Sequence, residues 1–345
     1  MTRKGTDGTV SQEKIEQGFK LLEECVLSMA NALECSFFEA YIETGENILE
    51  GNKVRIVDGL PKAEVASELE TKYQLFSELE LSPDDMRRVI QLVLLSGFKK
   101  EPVQPNHQLT PDSLGFLIGY LAGQLLAARK NEPLTFHDLT VGTGNLLFTV
   151  LLYLKQENFD IRSTGVEVDD LLLSIASVNS GLLKQEVGFY LQDSLQNLLL
   201  QPANLTIGDL PVGFYPDDVR AADFLVGVKE EHTYAHHLLM EQAMNYVTSD
   251  GFGIFLVPEN FLSSEQGSAL KKWFHEKVYL QAVLELPKTL FQSESSRKVI
   301  IIVQNRGDNS QQAKEVLLAN IPSMKDPQAI QSFFEKFKGW QVNNI

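Results

Sequence analysis

The chain has 345 residues, a formal net charge of −16 and 43% hydrophobic residues: enough apolar material for one large domain or two ordinary ones, and too much for a disordered chain. The acidic excess, with no basic run, argues against this chain alone gripping a phosphate backbone. Residues 1–20 hold no apolar core of a secretion signal and no apolar run reaches membrane-spanning length, so a cytoplasmic protein with no membrane association is expected.

Met1–Val10 is polar and reads as an irregular leader. From Ser11, a good cap, Ile15, Phe19, Leu22, Cys25 and Val26 recur at helical spacing. Cys25 and Cys35 are the only cysteines, and no His or second Cys pair completes a metal set, so they read as reduced thiols. Further helices are expected over Glu64–Glu80 and Pro83–Leu95, the second opened by Ser82-Pro83-Asp84-Asp85, a cap, a first-turn proline and early acidic residues. Residues 1–100 thus form an N-terminal helical domain, and Gly97–Gln108, with its two prolines, a linker or loop.

Beyond Thr110 the texture alternates. A helix over Pro111–Ala128 leads to a strand over Leu134–Leu139, a helix over Asn145–Leu154, a strand over Ile161–Val168, a helix over Asp169–Ser180 and strands over Val187–Gln192 and Leu205–Gly208. A long helix over Glu231–Thr248, a strand over Gly253–Val257, a helix over Ser264–Lys277 and strands over Leu280–Leu286 and Val299–Gln304 complete the series. Strands alternating with helices imply an α/β fold with a mainly parallel sheet covered on both faces. The last two strands are too close for a helical crossover and should pair antiparallel.

The first strand runs into Gly142 and Gly144, which permit positive φ and a close backbone approach to a ligand. The amide-bearing end of the helix from Asn145 favours an anion at the same place. The third glycine of a dinucleotide site is missing, which lowers the nicotinamide reading. Glu167, about twenty residues past the glycines, ends the second strand, where a carboxylate suits two adjacent ribose hydroxyls. Asp169 and Asp170 read as helix caps. Asp193, at the end of the third strand, is placed to accept a hydrogen bond from an adenine amino group.

As a set, Asp138-Leu-Thr-Val-Gly-Thr-Gly-Asn-Leu-Leu147, Gly165-Val-Glu-Val-Asp169 and Gln192-Asp-Ser194 resemble class I S-adenosylmethionine-dependent methyltransferases. More narrowly they resemble the adenine-specific DNA methyltransferases, including type I restriction modification subunits, and a Bacillus- and Listeria-type family of class I methyltransferases. Gln108-Leu-Thr-Pro111 and the preceding helical domain agree with that branch. The resemblance implies a Rossmann-like seven-stranded methyltransferase sheet over residues 105–310, followed by a C-terminal extension over 311–345, with S-adenosyl-L-methionine as cofactor. It implies that Thr110 meets the methionine end, that Asp138, Gly142, Thr143 and Gly144, with Asn145 at the helix start, line its amino and carboxylate groups, that Glu167 holds the ribose, and that Asp193 and Ser194 lie at the adenine.

In that family the fourth strand ends in Asn/Asp-Pro-Pro-aromatic, whose polar groups accept hydrogen bonds from the target amine while the aromatic stacks on a flipped base. Here it reads Asp209-Leu-Pro-Val-Gly-Phe-Tyr-Pro216: Asp209 and Pro211 match, Leu210 and Val212 depart, and Phe214 and Tyr215 follow closely enough to replace the stacking residue. Asp209, Pro211 and Tyr215 are therefore the candidate catalytic residues, and Phe214 and Phe291 the candidate substrate-pocket residues. The expected activity is methyl transfer to adenine in DNA, with specificity supplied by a partner subunit because no target-recognition segment is evident. A catalytically inactive cofactor-binding or interaction protein is the second reading, and a non-DNA acceptor the third. His232, His236 and His237 read as surface or packing residues rather than metal ligands, His137 as a buried strand residue, and Asp217-Asp218 as a turn.

Overall fold

The computed structural model describes residues 6–101, 104–229, 231–291 and 293–345. Four helices come first: α1 (Thr6–Leu33), α2 (Phe37–Leu49), α3 (Ala63–Ser77) and α4 (Pro83–Lys100). Residues 1–5 of the expected irregular leader lie outside the described residues, and Thr6–Val10 is already helical. The start of α2, not picked out from the sequence, is a capping box: Ser36 Oγ accepts from the Glu39 N–H at 3.2 Å while Glu39 accepts from the Ser36 N–H at 2.8 Å. At α4 the cap is the expected one, Ser82 Oγ accepting from the Asp85 N–H, with Pro83 behind it.

The second half contains α5 (Asp112–Leu125), β1 (Leu134–Asp138), α6 (Asn145–Gln156), β2 (Ile161–Glu167), α7 (Asp170–Leu182), β3 (Val187–Leu191) and β4 (Ala203–Asp209). It continues with α8 (Asp218–Ala221), α9 (Ala235–Asn245), β5 (Val247–Pro258), α10 (Gly267–Glu276), β6 (Val278–Glu285), β7 (Lys298–Asn305), β8 (Leu317–Asn320) and α11 (Pro327–Asn344). The sheet has eight strands in the order β3-β2-β1-β4-β5-β7-β6-β8, one more than expected. The addition is β8, parallel to β6, within the stretch set apart from sequence as an extension. Its four residues, Leu317-Leu-Ala-Asn320, carry no apolar–polar alternation, so no strand period stands out in the sequence. The helix expected over Glu231–Thr248 is confined to Ala235–Asn245, and Thr248 belongs to β5. In the expected linker, α4 runs to Lys100 and Pro105–His107 forms one 3₁₀ turn; residues 102 and 103 lie outside the described residues.

The buried strands are apolar on both faces, as a doubly covered sheet requires. On β7, Ile300 and Ile302 enter the core that continues into the helical domain, while Ile301 and Val303 enter the core under α9 and α10. The helical domain therefore shares its core with the sheet. It is also clamped near the crevice: the buried Arg87 of α4 reaches Asp112 at the start of α5 at 2.7 Å and Asp84 at 3.1 Å. Strand order reverses between β1 and β4, and at that reversal the carboxyl ends of an open sheet form a crevice. Among the described residues, no helix is long and apolar enough to cross a membrane.

Candidate functional site

The turn after β1 takes its shape from two glycines, Gly142 with φ +54° and Gly144 with φ +82°. Gly144 caps α6, and the Gly142 N–H donates to Glu167 Oε2 at 2.8 Å. Glu167 Oε1 accepts from the N–H groups of Val168 at 2.9 Å and Asp169 at 3.1 Å, so the end of β2 is tied to the glycine turn. Carboxylate oxygens have about two acceptor positions each, which leaves Oε2 capacity for one more donor. Asp138, 1% exposed, accepts from the Thr140 N–H at 3.0 Å. Burial, followed by the nearby Glu167 and Asp209 carboxylates, pushes its pKa up to about 7.

The end of β3 is bound into the same assembly. Asp193 accepts from the Leu195 N–H at 2.9 Å and from the Tyr215 hydroxyl at 2.6 Å. Ser194 Oγ donates to the Leu139 carbonyl at 2.5 Å and is buried, so its hydroxyl braces the β1 turn. Burial and the bond to Asp193 push the Tyr215 hydroxyl pKa up.

A cavity of about 620 Å³ opens at the strand reversal. Of the expected site residues it gathers Thr110, Asp138, Gly142, Thr143, Asn145, Asp209, Pro211 and Phe291. Gly144, Glu167, Asp193, Ser194, Phe214 and Tyr215 are not among its lining residues. Tyr215, expected beside Asp209, instead carries its hydroxyl to Asp193. Phe214, expected in the substrate pocket, is 57% exposed and stacks on Tyr234 at 4.7 Å. Neither aromatic takes the place left by Val212: the chain bends at Gly213, with φ +135°, and Phe214 and Tyr215 beyond it meet Tyr234 and Asp193 instead. Leu210, in place of proline, fills the core under the sheet.

Asp209 is held from two sides. Thr110 Oγ1 donates to its Oδ2 at 2.8 Å, and Asn145 Nδ2 donates to the Thr110 carbonyl at 2.7 Å. The Lys298 ammonium donates to Asp209 Oδ1 and, at 3.3 Å, to the Leu210 carbonyl. Asn106 pairs with both backbone groups of Val212, at 3.0 and 3.1 Å, and so fixes the loop after β4. Sequence reading missed Lys298 and Asn106. Lys298 is 89 positions from Asp209 in no motif, and Asn106 sits in what reads as a linker.

One polar relay joins the helical domain to the glycine turn. Buried Tyr41 of α2 donates to Asn179 Oδ1 of α7 at 2.6 Å, and Asn179 Nδ2 donates to the Thr143 carbonyl at 2.9 Å. Tyr41→Phe leaves a buried acceptor without its donor and is expected to cost about 1–2 kcal/mol, read as a lower urea midpoint at unchanged m-value. A midpoint equal to that of the unaltered protein would contradict the relay.

The histidines are surface and packing residues, as read from sequence, but His232 lies outside the helix. His236 and His237 are fully buried in α9; burial lowers their pKa values to about 3 and about 4. His232 precedes α9 and pairs with Asp218 at 2.8 Å, so it and His236 do not share a helix. His137 is buried against the Gln201 carbonyl at 2.8 Å. Asp217, read as a turn, caps the short α8 through the Arg220 N–H.

A buried carboxylate, a glycine turn and the amino end of α6 around one cavity suit a zwitterion, its cation toward Asp138 and its anion toward the helix. An ideal Cβ on Gly142 meets nothing within 4 Å, so the backbone there leaves room for a ligand to approach.

Comparison with known proteins agrees with this geometry. Residues 107–331 match the N-6 DNA Methylase family, and residues 16–98 match the YtxK N-terminal helical domain. The chain is 36% identical over 328 residues to Uncharacterized protein YtxK of Bacillus subtilis (strain 168), covering 93% of this chain and 96% of that protein. A Listeria monocytogenes structure, solved as a candidate class I S-adenosylmethionine-dependent methyltransferase, superposes with a TM-score of 0.86 at 35% identity, covering 95% of this chain and 99% of that one. The type I restriction-modification system methyltransferase subunit from Streptococcus thermophilus superposes with a TM-score of 0.62 at 14% identity, covering 93% and 74%; that likeness is one of fold.

Proposed function

The chain belongs to the N-6 DNA methylase family, and from that premise we propose that it transfers a methyl group to an acceptor amine seated at the end of β4, of the kind adenine presents in DNA. The cofactor is S-adenosylmethionine, which when bound supplies an electrophilic methyl group on a cationic sulfur. The chain's residues fit it. Asp138 and the start of α6 suit the methionine ammonium and carboxylate, Oε2 of Glu167 has capacity for a ribose hydroxyl, and Asp193, engaged by Leu195 and Tyr215 outside the cavity lining, is assigned to the adenine amino group by the resemblance alone. Thr110 joins this half to the other by holding Asp209.

The observation that carries the reading is the meeting of Asp138 and Asp209 in one cavity at the strand reversal. Asp209 Oδ1 and the Leu210 carbonyl share a single nitrogen donor, Lys298, so they form a seat for an amine. The carbonyl in that pair is that of Leu210; Pro211, given this role from sequence, lines the cavity beside it. Such a seat orients the acceptor nitrogen with its lone pair free, and the rate gain is one of positioning. With a net charge of −16, the chain relies on a partner subunit to hold and read DNA.

A second reading, a cofactor-binding protein without catalysis, is favoured by one feature: Val212 offers no stacking face, and Phe214 and Tyr215 lie outside the cavity. Calorimetry with S-adenosylmethionine tests the shared premise, and absence of binding removes both readings. Transfer of radiolabelled methyl to DNA, RNA or protein separates them. Label on DNA that falls roughly ten-fold or more in Asp209→Ala supports the first, and tight cofactor binding with no labelled acceptor supports the second.

A further inference from the structure

Lys298 opens β7 and Asp209 closes β4, with β5 between them in the sheet. The lysine side chain therefore crosses the end of β5 to reach the cavity, and both groups remain partly exposed there, at 22% and 24%. An ammonium has three N–H donors and no acceptor. Two of them go to Asp209 Oδ1 and the Leu210 carbonyl, the same two acceptors that the reading above assigns to the acceptor amine. An exocyclic nucleobase amine also has two N–H donors, so the two nitrogens compete for one seat. The contest is unequal, because a donor that carries charge binds a carboxylate about twice as strongly as a neutral one.

Resting on that reading, we propose that Lys298 is a gate on the acceptor seat: its ammonium stands in the place of the substrate amine, and a neutral amine enters only when Lys298 swings away. An ammonium has no lone pair with which to take a methyl group, so Lys298 blocks the seat without being consumed. Arg297 and Lys298 stand together at this side of the cavity, yet Arg297 is turned to Glu294 at 2.9 Å. It does not share the seat. Lys298 is a specificity-determining residue in this scheme, acting by exclusion.

The test measures adenosine binding by calorimetry with S-adenosylhomocysteine saturating, so that adenosine is kept out of the cofactor's own site. Lys298→Met and Lys298→Ala, checked for folding by thermal melts, are expected to bind adenosine roughly ten-fold or more tightly than the unaltered protein, and Asp209→Ala added to Lys298→Met is expected to remove the gain. Equal or weaker binding in the folded Lys298 variants, or no binding in any of them, overturns the gate. On the unaltered chain, saturating adenosine should speed acetylation of Lys298 by acetic anhydride several-fold, read by peptide mass spectrometry, and an unchanged rate overturns it too. Failure of S-adenosylhomocysteine to bind the unaltered protein would instead strike the proposed function, and the acetylation measurement, which needs no cofactor, would still read the contest at Lys298.

Discussion

Gly144→Ala is expected to cost roughly 3 kcal/mol of folding stability, with a correspondingly lower urea midpoint, while Gly142→Ala costs about 1 kcal/mol. Both glycines sit in the left-handed region, so a side chain is strained at either. They differ in what the new methyl group would meet. At Gly144 an ideal Cβ lies 2.4 Å from the ring of Phe148, which is 1% exposed and one turn along α6. A close-packed ring cannot retreat without opening the core. At Gly142 the space is open and belongs to the cavity, so that variant should weaken cofactor binding more than folding. Equal destabilisation by the two changes would mean that backbone strain alone sets the cost and that Phe148 is free to move.

Asp138→Asn is expected to weaken S-adenosylmethionine binding about a hundred-fold, the scale of one charge-assisted hydrogen bond, and yet to stabilise the free protein above neutral pH. The carboxyl is buried among Glu167 and Asp209, and its pKa rises from 3.8 to about 7. Between those values the folded state holds a proton that the unfolded chain has lost. Its contribution to stability therefore falls as pH rises through that window, by roughly 4 kcal/mol at most. The isosteric amide keeps an acceptor for the Thr140 N–H and does not titrate. The stability difference between variant and unaltered protein should thus grow from pH 4 to pH 7 and level off above. Binding of the cofactor's ammonium favours the ionised carboxylate, so it should release a proton below pH 7, read from calorimetry in buffers of different ionisation enthalpy. Binding with no proton exchange, together with a stability difference independent of pH, would show that Asp138 is ionised throughout.

Local patterns made most of the framework legible. Apolar runs and helical periods placed the strands and helices of the parallel half, because strands of a covered sheet are largely apolar even where polar residues such as Thr135, His137 and Ser163 interrupt them. The glycine spacing and the acidic residues at successive strand ends marked the crevice, because positive φ and strand-end carboxylates are written in residue type. Elements held by long-range contacts were not legible. Thr6–Val10 is helical, β8 pairs with the edge that β6 offers, and α9 starts at Ala235.

Within the site the same division holds. The α/β class, the helical domain, the glycine turn and the carboxylates at the ends of β1, β2, β3 and β4 are legible in the residue order, since each follows from residue type within a few neighbouring positions. That Tyr215 turns to Asp193, that Ser194 donates to the Leu139 carbonyl and that Lys298 sits on Asp209 is set by the assembled sheet. Those contacts depend on which strands lie side by side and where a loop reverses, and the order of residues along the chain carries no local signal for either.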